Sequence, residues 1–314
     1  MVTGLPRDWG TTSSLSDQRP RQCAPGSPPG CGKWMLLLLQ PAYNELRLTC
    51  VAMPTVYSFV FPAYNESERL TTSIPKVLEY IREQRLAAEI IVVNDGSRDD
   101  TAEVVRKFTS ADPIVRLLEN PGNRGKGYSV KNGVLHATGD VVLFSDTDLS
   151  SPIYEAGKLF AAIDAGADVA IGSRWLQREM QTERQPWLRQ LYGRLFNLGL
   201  RLVLGLTYRD TQCGFKAFTR QAAQIVFSRQ RIERWGFDPE ILFLADKFKL
   251  RTVEVPVEWA HDHRSKISPL RDGIRMGTEV LTVRWNEMRG LYERPSVLLD
   301  DIPAPVIEPA HTSK

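Results

Sequence analysis

The stretch VYSFVFPAYNESERLTTSIPKVLEYIREQRLAAEIIVVN, residues 56–94, reads as strand, helix, strand. Val56–Phe61 and Glu89–Asn94 are short runs rich in β-branched and aromatic side chains, the composition of strands. Ser67–Arg85 between them has the length and pattern of a helix. The alternation continues outward. Ile114–Leu118, Val141–Ser145 and Ala167–Gly172 read as strands, and Thr101–Thr109, Tyr128–Ala137 and Ile153–Ala165 as helices. Asp100 and Glu103 have capping-box spacing at the second helix. Such alternation predicts an α/β domain, a mostly parallel sheet with helices on both faces. Ligands of such sheets bind beyond the carboxyl ends of the strands.

The rest of the chain frames this domain. In residues 1–32, Pro, Gly and Ser fill 14 positions, so residues 1–54 are expected to be a disordered or extension segment. PAYNE occurs at 41–45 and again at 62–66; the second copy follows a strand and is taken as the working one. The folded domain is expected over 55–290, with a Pro-rich tail over 291–314. A net charge of +3 does not argue for nucleic acid, and none is expected as a partner. The cysteines, Cys23, Cys31, Cys50 and Cys213, form no CxxC pair and are expected to be free thiols. WMLLLL, 34–39, is far short of the roughly 20 residues that cross a membrane.

Each strand is followed by a polar cluster. After the first come Pro62, Tyr64 and Glu66, a rigid backbone, a stacking face and an acceptor, or simply an acidic helix start. After the second, Asp95 precedes Gly96; the carboxylate can accept from a base or ribose, or can close an Asx turn. After the third, Gly122, Gly125 and Gly127 flank Arg124 and Lys126 and run into a helix, which suits an anion such as a diphosphate. No Walker A signature is present. After the fourth, SDTDLSSP places Asp146 and Asp148 two apart on what reads as extended chain, so both point one way. Two carboxylates near a core need a cation. Mg²⁺ or Mn²⁺ commonly takes one or two, filling its shell with phosphate and water. A surface turn or a capped helix start is the plainer alternative, and the convergence of all four clusters on one sheet edge disfavours it.

FPAYNE, IIVVNDGSRDDT, NRGKG, SDTDLSSP, GSRW and DTQCGFKAF together resemble the family-2 glycosyltransferases of the GT-A, Rossmann-like fold. Their order is most similar to that of the dolichyl-phosphate (polyprenyl-phosphate) β-glucosyltransferases, over about residues 55–290. The resemblance implies that Pro62, Tyr64, Glu66, Val93 and Asp95 hold the nucleotide, and that Asp146, Thr147 and Asp148 hold metal and donor diphosphate. It further implies that Arg174 and Lys266 contact phosphates. UDP-glucose is the implied donor, polyprenyl phosphate the acceptor, and the cytoplasmic face of a membrane the place of work. Asn94 stands where many relatives carry Asp, and Ala260 where the mannosyltransferases, which use GDP-mannose, carry Arg. The C-terminal transmembrane helices frequent in the family are not seen.

The acceptor end reads from two candidate amphipathic interface helices. Trp187–Leu206 has 12 apolar residues and only a narrow polar stripe, Gln190, Arg194, Asn197 and Arg201. An interfacial helix with arginines near lipid phosphates has this composition, as does a buried helix with paired arginines. In 270–288, Leu270, Ile274, Gly277, Leu281, Trp285 and Met288 share a face beside Arg271, Arg275, Arg284 and Arg289. His261 and His263 lie near Lys266 and can assist with diphosphate or be solvated loop residues. A phosphate acceptor needs no protein base. A soluble hydroxyl acceptor does, and Asp210 is then the candidate. A catalytically silent nucleotide-sugar-binding module is the remaining alternative; intact Asp146, Asp148 and Arg174 argue against it.

Overall fold

The computed structural model describes residues 55–176, 198–260 and 275–296, together with the backbone of Trp34–Met35, Val51–Ala52 and 269–274. Strands β1 (Trp34–Met35) and β2 (Val51–Ala52) form a two-stranded antiparallel pair. The main body alternates β3 (Val56–Ala63), α1 (Ser67–Glu83), β4 (Ala87–Asn94), α2 (Thr101–Ala111), β5 (Val115–Glu119), α3 (Lys126–Leu135), β6 (Val141–Ser145), α4 (Ala156–Asp164) and β7 (Val169–Ser173). It continues with the helical residues 198–204 (α5), β8 (Phe215–Thr219), α6 (Arg220–Phe227), α7 (Phe237–Lys247), β9 (Thr252–Pro256) and α8 (Pro269–Met288).

The seven-stranded sheet runs β5-β4-β3-β6-β8-β7-β9. All its pairs are parallel except those of β8, which is antiparallel to β6 and β7. Alternate side chains face opposite layers. Val60, Ile91, Val93, Val142, Phe144 and Ile171 pack under α3, α6 and α7, while Phe59, Phe61, Ile90, Val92 and Leu143 pack under α1 and α4. Both faces are covered, which is why the strands read as continuous apolar runs. Connections leave β3 toward β4 and β5, and then β6 pairs on β3's other side. That switch point opens a crevice between the carboxyl ends of β3 and β6.

Three expectations change. The box at α2 does not form: Asp100 makes no side-chain cap bond. Asp99 instead accepts from the Thr101 amide at 3.1 Å and from the Ser67 hydroxyl at 2.8 Å, tying the starts of α1 and α2 together. Glu103 pairs with Arg106. Arg201, read as part of a lipid-facing stripe, uses its guanidinium to cap its own helix end, donating to the Thr207 carbonyl at 3.1 Å. Lastly, the packed unit continues past 290: Tyr292 is fully buried, and the Ser296 amide donates to the Ser228 carbonyl at 2.6 Å.

Tyr292 closes over a buried acid. Its hydroxyl donates to Glu240 at 2.7 Å, and the amides of Arg231 and Ile232 donate to the same carboxylate at 3.0 and 2.9 Å. Burial pushes Glu240 up from 4.5 to about 7, outweighing those donors. Between pH 4.5 and 7 the unfolded chain ionises this group while the fold holds it protonated. Stability should therefore fall with rising pH across that window, by up to about 3 kcal/mol, and level off above it. Glu240→Gln adds a pH-independent cost but removes the slope. Urea titrations from pH 5 to 8 should show the gap between wild type and variant narrowing as pH rises; a constant gap contradicts this.

Candidate active site

The carboxyl edge gathers most of the expected residues. Pro62 pairs with Val93 in register, so the loops after β3 and β4 emerge side by side. The Asn65 amide donates to the Ser97 hydroxyl at 2.9 Å and Arg98 donates its amide to the Asn65 side chain at 2.8 Å, locking the two loops together. Tyr64 is exposed at the crevice, 38%. Glu66 is held by Arg69, at 2.7 and 2.9 Å. Val93 is different: its side chain is fully buried in the core, where a Cβ added at Gly133 of α3 would lie 2.8 Å from it. Only its backbone is at the crevice.

Asp95, 3% exposed, organises the Gly-rich loop. One oxygen accepts from the Arg124 amide at 2.9 Å and the Asn120 side chain at 2.8 Å, and the other from the Gly125 amide at 2.8 Å. The anion that these loop amides hold is thus Asp95 itself, not a diphosphate, as the sequence suggested. Gly125 adopts φ 118°, and a Cβ there would come within 2.6 Å of the Glu233 carbonyl, so only glycine lets the loop lie this close. Asp95→Ala strands three donors and frees the loop. Affinity for UDP, the nucleotide that the family resemblance implies, should weaken by about 1–3 kcal/mol. Calorimetry that finds unchanged UDP affinity removes Asp95 from the site.

β6 ends where expected, but the two aspartates that follow it are not on extended chain. β6 stops at Ser145, and Asp146–Leu149 is a turn closed by the Leu149 amide on the Asp146 carbonyl at 3.2 Å. Leu149 has φ 49°, a left-handed residue that the sequence does not announce. The carboxylates converge through this turn, not through strand alternation. Burial, and then the charge of Asp146, push the Asp148 carboxyl above its usual range. Thr147 between them is 6% exposed. Register explains the next contact. Ser145 pairs with Phe215, so Asp146 and Gly214 lie alongside one another. A Cβ at Gly214 would sit 2.4 Å from Asp146 Oδ2 and 3.1 Å from Lys126 Nζ. The missing side chain is the space those two charges use, and Lys126 Nζ is 2.6 Å from Asp146 Oδ1. Burial opposes charge on Lys126, but Asp146 and Asp238 outweigh it and raise its pKa.

Arg174, just past β7, forms a two-pronged pair with Asp210, at 2.7 and 2.8 Å, and donates its amide to the same carboxylate at 3.0 Å. Asp210 is 1% exposed. Burial pushes its carboxyl up, but Arg174 prevails and holds it below the usual range. The Trp259 ring lies 5.6 Å from the guanidinium. The Ala260 amide donates to the Ser150 carbonyl at 2.8 Å, fixing this segment beside the aspartate turn. Lys216, fully buried on β8, is paired with Asp238 of α7. Cys213 is a free, buried thiol pushed up to about 11 by burial, so it is no nucleophile. Lys266, His261, His263 and Arg194 lie outside the described residues.

Sequence reading missed Asn120, Asp238 and Arg69, whose charge reaches Asp148. Arg69 had a signal in its i+3 spacing from Glu66. Asn120 and Asp238 had none, since their partners are distant in the chain. A divalent ion fits the donor set at Asp146 and Asp148: two neighbouring carboxylates, the first of which, 40% exposed, is open to outside oxygens and pushes the second one up. Among the described residues no group of three or more His, Cys, Asp or Glu is arranged for a metal.

Comparison with known proteins bears on the fold and the family. The dolichyl-phosphate beta-glucosyltransferase ALG5C of Trichomonas vaginalis is 37% identical, over 77% of each chain. The human dolichyl-phosphate beta-glucosyltransferase is 34% identical, over 75% of this chain and 76% of its own. Among solved structures, glucosyl-3-phosphoglycerate synthase from Mycobacterium tuberculosis, in complex with Mn²⁺, UDP and glucosyl-3-phosphoglycerate, superposes with a TM-score of 0.53. Its identity is 21%, over 77% of this chain and 81% of the other, a likeness of fold. Residues 58–227, from β3 through α6, match glycosyl transferase family 2. With the crevice, the paired aspartates and the Gly-rich loop all inside or bordering that span, the chain belongs to glycosyl transferase family 2 and is a glycosyltransferase.

Proposed function

We propose that this enzyme moves glucose from UDP-glucose to a polyprenyl (dolichyl-type) phosphate with inversion at the anomeric carbon, using Mg²⁺ or Mn²⁺ held by Asp146 and Asp148. The observation that carries the acceptor is the state of Asp210. A hydroxyl acceptor needs a base, and the candidate base is buried, clamped by Arg174 and made less basic by it. A phosphate monoester needs none, being largely dianionic at pH 7 with a second pKa of about 6. The relatives named dolichyl-phosphate beta-glucosyltransferases support the same acceptor and sugar. Neighbours of the same fold solved with Mn²⁺ and UDP-glucose support the donor.

The residues then divide the work. The loops locked by Asn65 and Asp95 hold base and ribose. An acceptor phosphate oxygen attacks the anomeric carbon from the face opposite UDP; the new bond is to that oxygen, and the bond to the UDP oxygen breaks. Asp146 and Asp148 would hold the divalent ion, whose charge would offset that developing on departing UDP. Arg174 and Lys126 add positive charge around the phosphates. UDP release from UDP-glucose tests this: polyprenyl phosphate should be required, and EDTA should abolish it. Equal release without the lipid overturns the proposal.

The acceptor implies a membrane surface, and the reading places the enzyme peripherally on the cytoplasmic face. Among the described residues no helix is long and apolar enough to cross a membrane. Yet Leu198 and Leu202 of α5 and Leu281, Trp285 and Met288 of α8 are 48–75% exposed. Arg284 of α8 joins the helices by donating to the Val203 carbonyl at 2.9 Å. Arg275, near the start of α8, and Arg289, just past its end, are exposed. Apolar faces flanked by arginines suit an anionic interface. Leu281→Glu with Trp285→Glu should abolish sedimentation with anionic liposomes at low salt and leave UDP-glucose affinity unchanged. Wild-type protein that ignores such liposomes contradicts the membrane reading.

A further inference from the structure

We infer that Lys126 is a built-in counter-ion that occupies Asp146 whenever donor is absent, and that it must leave Asp146 before a divalent ion can bind there. The inference rests on the reading of Asp146 and Asp148 as metal ligands and goes further, to how that site is kept when empty. The ammonium lies 2.6 Å from Asp146 Oδ1. It is not a surface lysine that happens to reach an acid, since its side chain is only 15% exposed. Lys126 opens α3 directly after Gly125, whose amide is fixed on Asp95. The Trp235 and Phe237 rings lie 5.6 and 5.9 Å from Nζ on one side, and the bare backbone of Gly214 lies on the other. Cation, aromatic walls and acid are thus held by separate elements, α3, α7 with the turn before it, and the β6–β8 margin.

A divalent ion bonded to Asp146 would stand within a few ångströms of the ammonium and weaken its hold on the same carboxylate. At such separations two cations repel strongly even at an effective dielectric of about 20. Lys126 must therefore find another anion. The donor supplies one, a diphosphate arriving at the same edge. Exchange of partners follows: Lys126 moves from Asp146 to the diphosphate as the metal takes Asp146. Metal and nucleotide then enter and leave together, and each strengthens the other's binding. In the empty enzyme the lysine offsets the charge of Asp146 and disfavours stray divalent ions.

The discriminating comparison is made without nucleotide. Mn²⁺ binding, followed by the electron paramagnetic resonance of free Mn²⁺, should be about tenfold tighter in Lys126→Met than in wild type. Mn²⁺ should also raise the Tm of the variant more than that of wild type, because the variant lacks the internal cation. With saturating UDP the wild type should gain the larger share of Mn²⁺ affinity. Lys126→Arg, which keeps the charge, should bind Mn²⁺ without UDP as weakly as wild type. If Lys126→Met binds Mn²⁺ no more tightly than wild type without UDP, while wild type binds it well with UDP, the counter-ion role is wrong and the metal site stands. If wild type binds no Mn²⁺ even with saturating UDP, the metal site and this role fall together.

Discussion

Asp148→Asn should lower glucosyl transfer on the order of 10²–10³-fold while leaving the protein at least as stable as wild type. The two effects have one cause. Asp148 is held near Asp146, and burial together with that neighbour already disfavours its charge. Replacing the carboxylate by an amide removes burial cost and repulsion that outweigh the attraction of Arg69, so the fold has no net electrostatic loss. The Ser150 amide, 2.9 Å from Oδ1, can still donate to the amide oxygen. Turnover has no such compensation. The variant has one negative oxygen ligand fewer, and removing a single group that stabilises developing charge typically costs a factor of this size. A thermal melt and a transfer assay on the same preparation check it. Full activity denies the metal role, and a large fall in Tm assigns Asp148 a structural one.

Asp210→Asn should instead destabilise the protein, by roughly 3 kcal/mol, because it disarms one side of a buried pair. For a domain of this size that is a drop in Tm of about 6–12 °C. Arg174 would keep its charge and lose a two-pronged partner at 2.7 and 2.8 Å, and its amide and that of Gln212 would lose a carboxylate acceptor. Activity should fall as well, since the position of Arg174 depends on the pair. The pH profile of the residual transfer to polyprenyl phosphate should keep its shape. A general base behaves in the opposite way: its amide variant keeps its stability and loses a limb of the profile.

How far the sequence could be read depended on how local each cause was. The strands β3 to β7 and the helices between them follow from apolar runs and their spacing, and those expectations lie within a few residues of the observed elements. β8 was hidden because FKAFT carries a lysine. Lys216 is tolerated in the sheet centre only by Asp238, 22 residues away, which no local pattern shows. α7 likewise buries Asp238 and Glu240, so its acids disguise a core helix. Asp95 was legible as a buried acceptor, but its donors come from 25 to 30 residues downstream, so the guess at a ligand filled a place the protein fills itself. The exposed face Leu281, Trp285 and Met288 on α8 was legible because helical spacing alone determines it. The capping role of Arg201 was not legible, because a helical stripe does not show that the orphan carbonyls at the end of its own helix make the first demand on it.

In the proposed mechanism the acceptor's own phosphate is the nucleophile and no protein base takes part. It is tested most directly by offering the enzyme glucose-labelled UDP-glucose with either a polyprenyl phosphate or the matching polyprenol, and measuring label in the lipid phase. The account predicts label with the phosphate and none above background with the alcohol. Comparable labelling of the alcohol, or labelling of the alcohol alone, contradicts it and returns Asp210 to the role of base.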